Sequence, residues 1–309
     1  IVYTNNSPDT LHNTWFKLYP NLYKKGNIRD MSIDQEDLTN GVKVTDVFVN
    51  DSAVNNKAMR INGTNMVLRN TTILPHSTVN FKLTFSYTLN KGSHIRTGEV
   101  DEGSSFIAYF FPRIAVYDDI DGWNQKPYVG SQEFYNDFCN FSVNISVPKN
   151  YIVWATGTLA NCNEVLNKQY CERLYNAEQS NETVYIIDST DLQKNNSITK
   201  NNDINTWHFD ATHVTDFVFA TSNHYLWRST SLIVDSSSRR RTRVDVAFNP
   251  THKDFYEVMD FARKTVEYMS FRFPKWPFPY PHETVCDGLD QMEYPMMVND
   301  NPLEDREET

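Results

Sequence analysis

Three groups of side chains in this 309-residue chain have types and spacing that could carry chemistry. One is the run Gln291-Met292-Glu293-Tyr294-Pro295, which sets a single carboxylate in a short extended segment. Taken alone it reads as an edge strand with one solvated glutamate. A second is Asp118, Asp119 and Asp121, just after Phe111-Pro112-Arg113. Clustered carboxylates can bind calcium or work as a hydrolase pair. More often they build a polar loop of turns and salt bridges, and that reading comes first. The third is His208 and His213, five apart, with Asp210 and Asp216 nearby. Two imidazoles and two carboxylates can hold a metal, but no third ligand stands at a fixed spacing.

Other chemistries lack their signatures. No H-E-x-x-H, Walker loop, G-x-G-x-x-G or G-x-S-x-G occurs, so these residues supply neither a zinc helix, a phosphate cradle nor a nucleophile elbow. The net charge of -10 argues against a nucleic-acid partner, which needs cations to replace phosphate counterions. The basic run Arg239-Arg240-Arg241 with Arg243 reads as a solvated loop. The longest apolar run, Phe106 to Phe111, is strand-sized, so no transmembrane segment is expected. Four cysteines do not make a disulfide scaffold at this length, and no C-x-x-C suggests a zinc ribbon. Cys162 and Cys171 flank a short polar loop and could pair; reduced thiols are the slightly preferred reading. The N-x-S/T sites include Asn62, Asn70, Asn140, Asn144, Asn181 and Asn195, as an asparagine-rich composition would give.

The elements that must position these groups are mostly strands. Val79, Phe81, Leu83, Phe85, Tyr87 and Leu89 alternate with polar residues, the period of a half-buried strand. Phe141, Val143, Ile145 and Val147 do the same up to Pro148. Met59-Arg60-Ile61 and Met66-Val67-Leu68 flank Asn62-Gly63, a hairpin signal. Short strands also fit 152–155, 184–187, 206–209 and 217–220. Residues 163–181 are more helical, and 193–203 is a polar loop. Near Asn249 the pattern changes. Thr251 with Asp254 suggests a capped helix start, and Phe255, Val258, Met259, Ala262, Val266 and Met269 follow helical spacing. The prolines from Pro274 onward must end that helix near Phe273.

Several pieces, in one order, resemble the gluzincin zinc aminopeptidases of the membrane alanyl aminopeptidase family, especially its bacterial branch. They are Tyr3 to Leu11, Phe111-Pro112-Arg113-Ile114-Ala115-Val116-Tyr117-Asp118-Asp119 with Gly122-Trp123-Asn124, and Trp154-Ala155-Thr156-Gly157. Asp216 to Ala220, Phe278-Pro279-Tyr280-Pro281 and Met292-Glu293-Tyr294-Pro295 complete the set. The resemblance spans nearly the whole chain. It implies a mainly β fold: a saddle-like antiparallel β N-terminal domain over residues 1–228, then the beginning of a thermolysin-like α+β catalytic domain over 229–309.

By that resemblance, Met292 to Val298 is an edge strand that pairs with a bound peptide substrate. Glu293 holds the position of the glutamate that grips the substrate's free α-ammonium. Gln291, Met292 and Tyr294 line the same strand. Asp290 stands where the family has glycine, and Tyr294 where many members have asparagine. Glu102 is the candidate for a second amine-binding acid, one residue out of register. The family's zinc helix would follow shortly after Thr309. No catalytic residue and no metal ligand is therefore expected within this chain. Zinc is expected in the parent protein only, with the remaining catalytic domain as partner and an exported or envelope-associated location. Residues after Pro295 are expected to be mobile unless that remainder covers them. The competing reading is a non-catalytic peptide- or glycan-binding module or pseudoenzyme, with Trp123, Trp207 and Trp227 as platforms.

Overall fold

A computed structural model describes residues 1–91, 96–194 and 198–303; Asn195 and the acidic tail at 304–309 lie outside them. The chain is mainly β with mostly antiparallel sheets. It forms two compact units, one of residues 1–91 and 109–137, the other of residues 92–108 and 138–309. The boundary expected at 228/229 falls inside the strand Leu226–Asp235.

In the first unit two four-stranded sheets share one core. One sheet contains Val2–Thr4, Thr78–Ser86, Lys43–Val49 and Ser52–Ala53. The other contains Arg113–Ile114, Leu11–Lys17, Asn65–Ile73 and Met59–Asn62. Period-two alternation decides what is inside: Val79 and Phe81 are buried while Asn80 and Lys82 face water. Phe16 meets Phe81 edge-to-face at 5.4 Å, joining the sheets. The hairpin at Asn62 pairs Asn62 with Asn65, and Gly63 takes φ 57° in the turn. The acidic loop is a turn, as expected. Asp118 Oδ1 accepts the N–H groups of Ile120 and Asp121, and these bonds lower its pKa.

The second unit is organised by a six-stranded mixed sheet. Its order is Val184–Ile187, Leu226–Asp235, Arg240–Phe248, His282–Asp287, Met297–Asp300, Met292–Tyr294. Arg240–Phe248 and His282–Asp287 run parallel, so the chain must cross over between them. The helix Phe255–Phe271 makes that crossover. It buries Phe255, Met259 and Val266 against Val234, Val244, Val246 and Val285.

Three expectations are corrected, and the tryptophan platforms of the competing reading give way to core packing, the commoner role for such residues. Cys162 and Cys171 form a disulfide, their Cα atoms 5.9 Å apart, because the short helices Cys162–Val165 and Lys168–Ala177 bring them together. Cys139 and Cys286 are outside any disulfide. Thr251 does not cap the long helix; its N–H and hydroxyl bind Asn249 Oδ1, and the helix starts four residues later. Of the residues after Pro295, those at 297–300 are not loose: Met297–Asp300 is an internal strand with Met297 fully buried. Trp207, Trp227 and Trp123 are 0%, 3% and 8% exposed, so none is a binding platform.

Two outcomes follow. Thiol titration of the denatured, unreduced chain should find two reactive cysteines, and four after reduction. Met259→Ala should cost about 2–5 kcal/mol, read as a lower urea midpoint with unchanged m.

Candidate functional site

The strand Met292–Tyr294 occupies one margin of the six-stranded sheet, antiparallel to Met297–Asp300. The expected single strand from Met292 to Val298 is thus a hairpin, because Pro295 and Met296 turn the chain back. Proline before a residue of positive φ gives type II turn geometry, and Met296 takes φ 67°. That position usually falls to glycine, and a bulky residue there costs about 1–3 kcal/mol. Surrounding contacts hold it. Met296 is 3% exposed and packs with Ala211 and Val214. Thr156 Oγ1 donates to Pro295 O at 3.0 Å, and Thr284 N donates to Met296 O at 3.0 Å.

The hairpin fixes where its side chains go. Tyr294 is buried, its ring 5.8 Å from Phe106. Glu293, one residue earlier, must take the opposite face. Its cross-strand row is Glu293, Val298 and Val285, and Val285 packs with the helix. Glu293 is therefore exposed on the helix-bearing face. Among the described residues no hydrogen bond or ion pair engages its carboxylate. Met292 is half-buried. In the preceding loop Asp290 Oδ1 accepts the Gln291 N–H at 2.8 Å. The tight approach in this loop falls at Gly288, where a Cβ would overlap the Asn299 side-chain Oδ1. Asp290, where the family resemblance expects glycine, is not that point.

Glu102 is exposed in the turn between Gly98–Asp101 and Ser104–Ile107. The turn is secured by its neighbours. Asp101 Oδ2 accepts from Asn249 Nδ2 at 2.9 Å and faces His224 Nε2 at 3.3 Å. Asn249 also donates its backbone N–H to Asp287 Oδ2 at 2.9 Å, where His252 Nδ1 approaches at 2.6 Å. Asp287 directly precedes Gly288, so one asparagine links the Glu102 turn to the loop leading to Glu293. These partners are 25 to 148 residues apart in sequence and form no motif. Sequence reading missed them; the only local signal was the Asn249-Pro250-Thr251 turn before the helix.

The histidine pair does not assemble. His208 bonds Asn144 Oδ1 and Asp210 Oδ2, while His213 stacks on Phe138. Among the described residues no group of three or more His, Cys, Asp or Glu is placed to hold a metal ion. The residues present do not fit a zinc site.

Burial sets the electrostatics around the strand His282–Asp287. His282 is 4% exposed, with Nε2 on Gly157 O at 2.8 Å. Burial, then the Arg243 charge, lower its pKa to about 4. Glu283 is raised to about 8 by burial, and Asp287 and Asp300 are raised for the same first cause.

No family model matches the chain, and no curated protein matches it in sequence. Solved structures do match in fold. Legionella pneumophila aminopeptidase A, in complex with aspartic acid, aligns over 94% of this chain and 27% of its own, with TM-score 0.51 and 10% identity. An M1 zinc metallopeptidase from Deinococcus radiodurans aligns over 99% of this chain and 56% of its own, with TM-score 0.53 and 12% identity. A mutant of that Deinococcus protein bound to a Tyr-Ser-Ala substrate gives TM-score 0.53 and 13% identity over the same shares. At these identities the likeness is one of fold, and the chain spans little more than half the length of these proteins at most.

The shifts above set a pH dependence. Between about pH 4.5 and 8 the folded chain keeps a proton on Glu283 that the unfolded chain has lost, so this group's contribution falls as pH rises. His282 acts oppositely, but only between about pH 4 and 6.5. Urea stability should therefore decline from pH 6.5 to 8, and Glu283→Gln should flatten that slope.

Proposed function

We propose that this chain supplies the substrate N-terminus-binding part of a zinc aminopeptidase. The observation that carries the reading is Glu293: an exposed carboxylate, without a partner among the described residues, on a strand at the sheet margin. An open strand edge can pair with an extended peptide's main chain. A carboxylate beside that edge can take the peptide's terminal ammonium in a charge-assisted bond, which limits cleavage to the first residue. The fold neighbours support this, since one of them is bound to a Tyr-Ser-Ala substrate. Gln291, Met292 and Asp290 would flank the first residue, with Glu102 as the second acid. Tyr294 would contribute from beneath by fixing the strand.

No H-E-x-x-H occurs in the sequence and, among the described residues, no group is placed to hold a metal, so in this reading bond cleavage would belong to the rest of the parent protein. In this reading residues 1–228 are the N-terminal β domain and 229–309 open the catalytic domain. The Cys162–Cys171 disulfide favours an exported or envelope-associated setting, because disulfides persist in oxidising compartments.

Two measurements test this. In the zinc-loaded parent, Glu293→Ala should lower kcat/KM for aminoacyl-arylamides by about 10- to 150-fold, the weight of a charged hydrogen bond. The 309-residue chain alone should show no such hydrolysis. An unchanged kcat/KM in the variant would remove Glu293 from the site. Hydrolysis by the short chain would remove the division of labour.

A further inference from the structure

The first compact unit carries a cleft that the reading of Glu293 does not use. It measures about 650 Å³, within the ~300–1,000 Å³ of small-ligand sites. Its floor is the outward face of three strands. Cross-strand register sets Asn13 beside Arg69 and forms the rows Trp15–Val67–Arg60 and Lys17–Asn65–Asn62, with Val67 and Asn65 in the middle. The opposite face of the same strands holds Phe16, Met66 and Leu68 in the core, so alternation forces this set outward. The segment from Gln125 to Val129 makes one wall.

That wall is tied to the floor. Thr64 Oγ1 donates to Tyr128 O at 3.1 Å and accepts the Tyr128 N–H at 2.7 Å. Asn65 Nδ2 donates to Gln125 O at 2.6 Å. Beneath them Lys17, 4% exposed, has no carboxylate partner among the described residues. Its ammonium donates to Asn65 Oδ1 at 2.9 Å, Asn124 Oδ1 at 3.3 Å and Lys126 O at 2.6 Å. Burial lowers its pKa to about 8.

The chemistry of the lining is one-sided. Arg60 and Arg69 are exposed, and among the described residues no ion pair engages either guanidinium. Among the described residues no aspartate or glutamate lines the cleft, in a chain whose net charge is -10. Asn13 Oδ1 accepts the Asn70 N–H, which leaves the Asn13 amide N–H groups as donors. Two guanidiniums suit carboxylate or sulfate oxygens. The half-buried indole of Trp15 offers an apolar patch among amides, which suits a ring bearing hydroxyls. Two surface cations are too few for a nucleic-acid tract.

We propose that this cleft binds an acidic saccharide, a short sugar chain bearing carboxylate or sulfate groups, with Arg60 and Arg69 on the anions and Trp15 under a sugar ring. The test is calorimetric titration of the 309-residue chain with trigalacturonate, a heparin-derived tetrasaccharide, maltotriose and hexaglutamate. One or both acidic saccharides should bind, and the stronger of the two identifies the anion. Maltotriose should bind at least about tenfold more weakly, the share of one charge-assisted contact. Arg60→Ala with Arg69→Ala should weaken the acidic saccharide by more than about tenfold on the same basis. Both arginines sit on the exposed face, so the variant should melt like the parent chain. No saccharide binding, or binding unmoved by the double variant, would overturn the proposal. So would hexaglutamate binding as tightly as the sugars, which would mark a general polyanion or acidic-peptide surface.

Discussion

A hairpin of two short strands depends on one backbone conformation, the positive φ of Met296. Reversal at Pro295-Met296 sends Met297–Asp300 between two paired neighbours and leaves Met292–Tyr294 at the margin. Without it, residues 292–298 would run on as a single strand. The strain is tolerated because Thr156 and Thr284 bind both carbonyls of the turn and the Met296 side chain is buried. Orientation of Glu293 follows from the same turn. Tyr294 is anchored beside Phe106, and a period of two then leaves the glutamate only the helix-bearing face.

Asn249 extends this control to a second loop. Its backbone N–H reaches Asp287 and its side chain reaches Asp101, so two acid-bearing turns share one rigid link. The link closes where strand Arg240–Phe248 ends, because the crossover to the helix needs a turn at that point. Thr251 satisfies its own N–H and hydroxyl on Asn249 Oδ1. All four polar functions of this asparagine are engaged, its backbone carbonyl accepting the His252 N–H at 3.0 Å, and the two in the side chain hold it to one rotamer.

Much of this was legible in the sequence wherever the signal is local. Strict alternation located Thr78–Ser86 and Cys139–Pro148, and helical spacing located Phe255–Phe271 within two residues of its expected end. Glycine after asparagine marked the hairpin at Gly63. The hairpin at Met296 escaped because its left-handed residue is a methionine, whose type carries no turn signal. The disulfide escaped because spacing alone leaves pairing open; the fold of two short helices decided it. The Asn249 link and the Arg60–Trp15–Arg69 face arise from register between strands, which no single segment encodes.

Residue type also fails to separate carboxylates whose surroundings differ. Glu283 and Glu293 are ten residues apart and lie on the same face of the sheet. Glu283 sits on a strand paired on both sides, and burial pushes its pKa up to about 8. Glu293 sits at the margin, where water reaches it. An acid held neutral near pH 7 cannot attract an ammonium group by charge, whereas a solvated carboxylate can. Position within the sheet, set by the order of its strands, therefore separates a shielded glutamate from a water-exposed one, a difference that residue type does not carry.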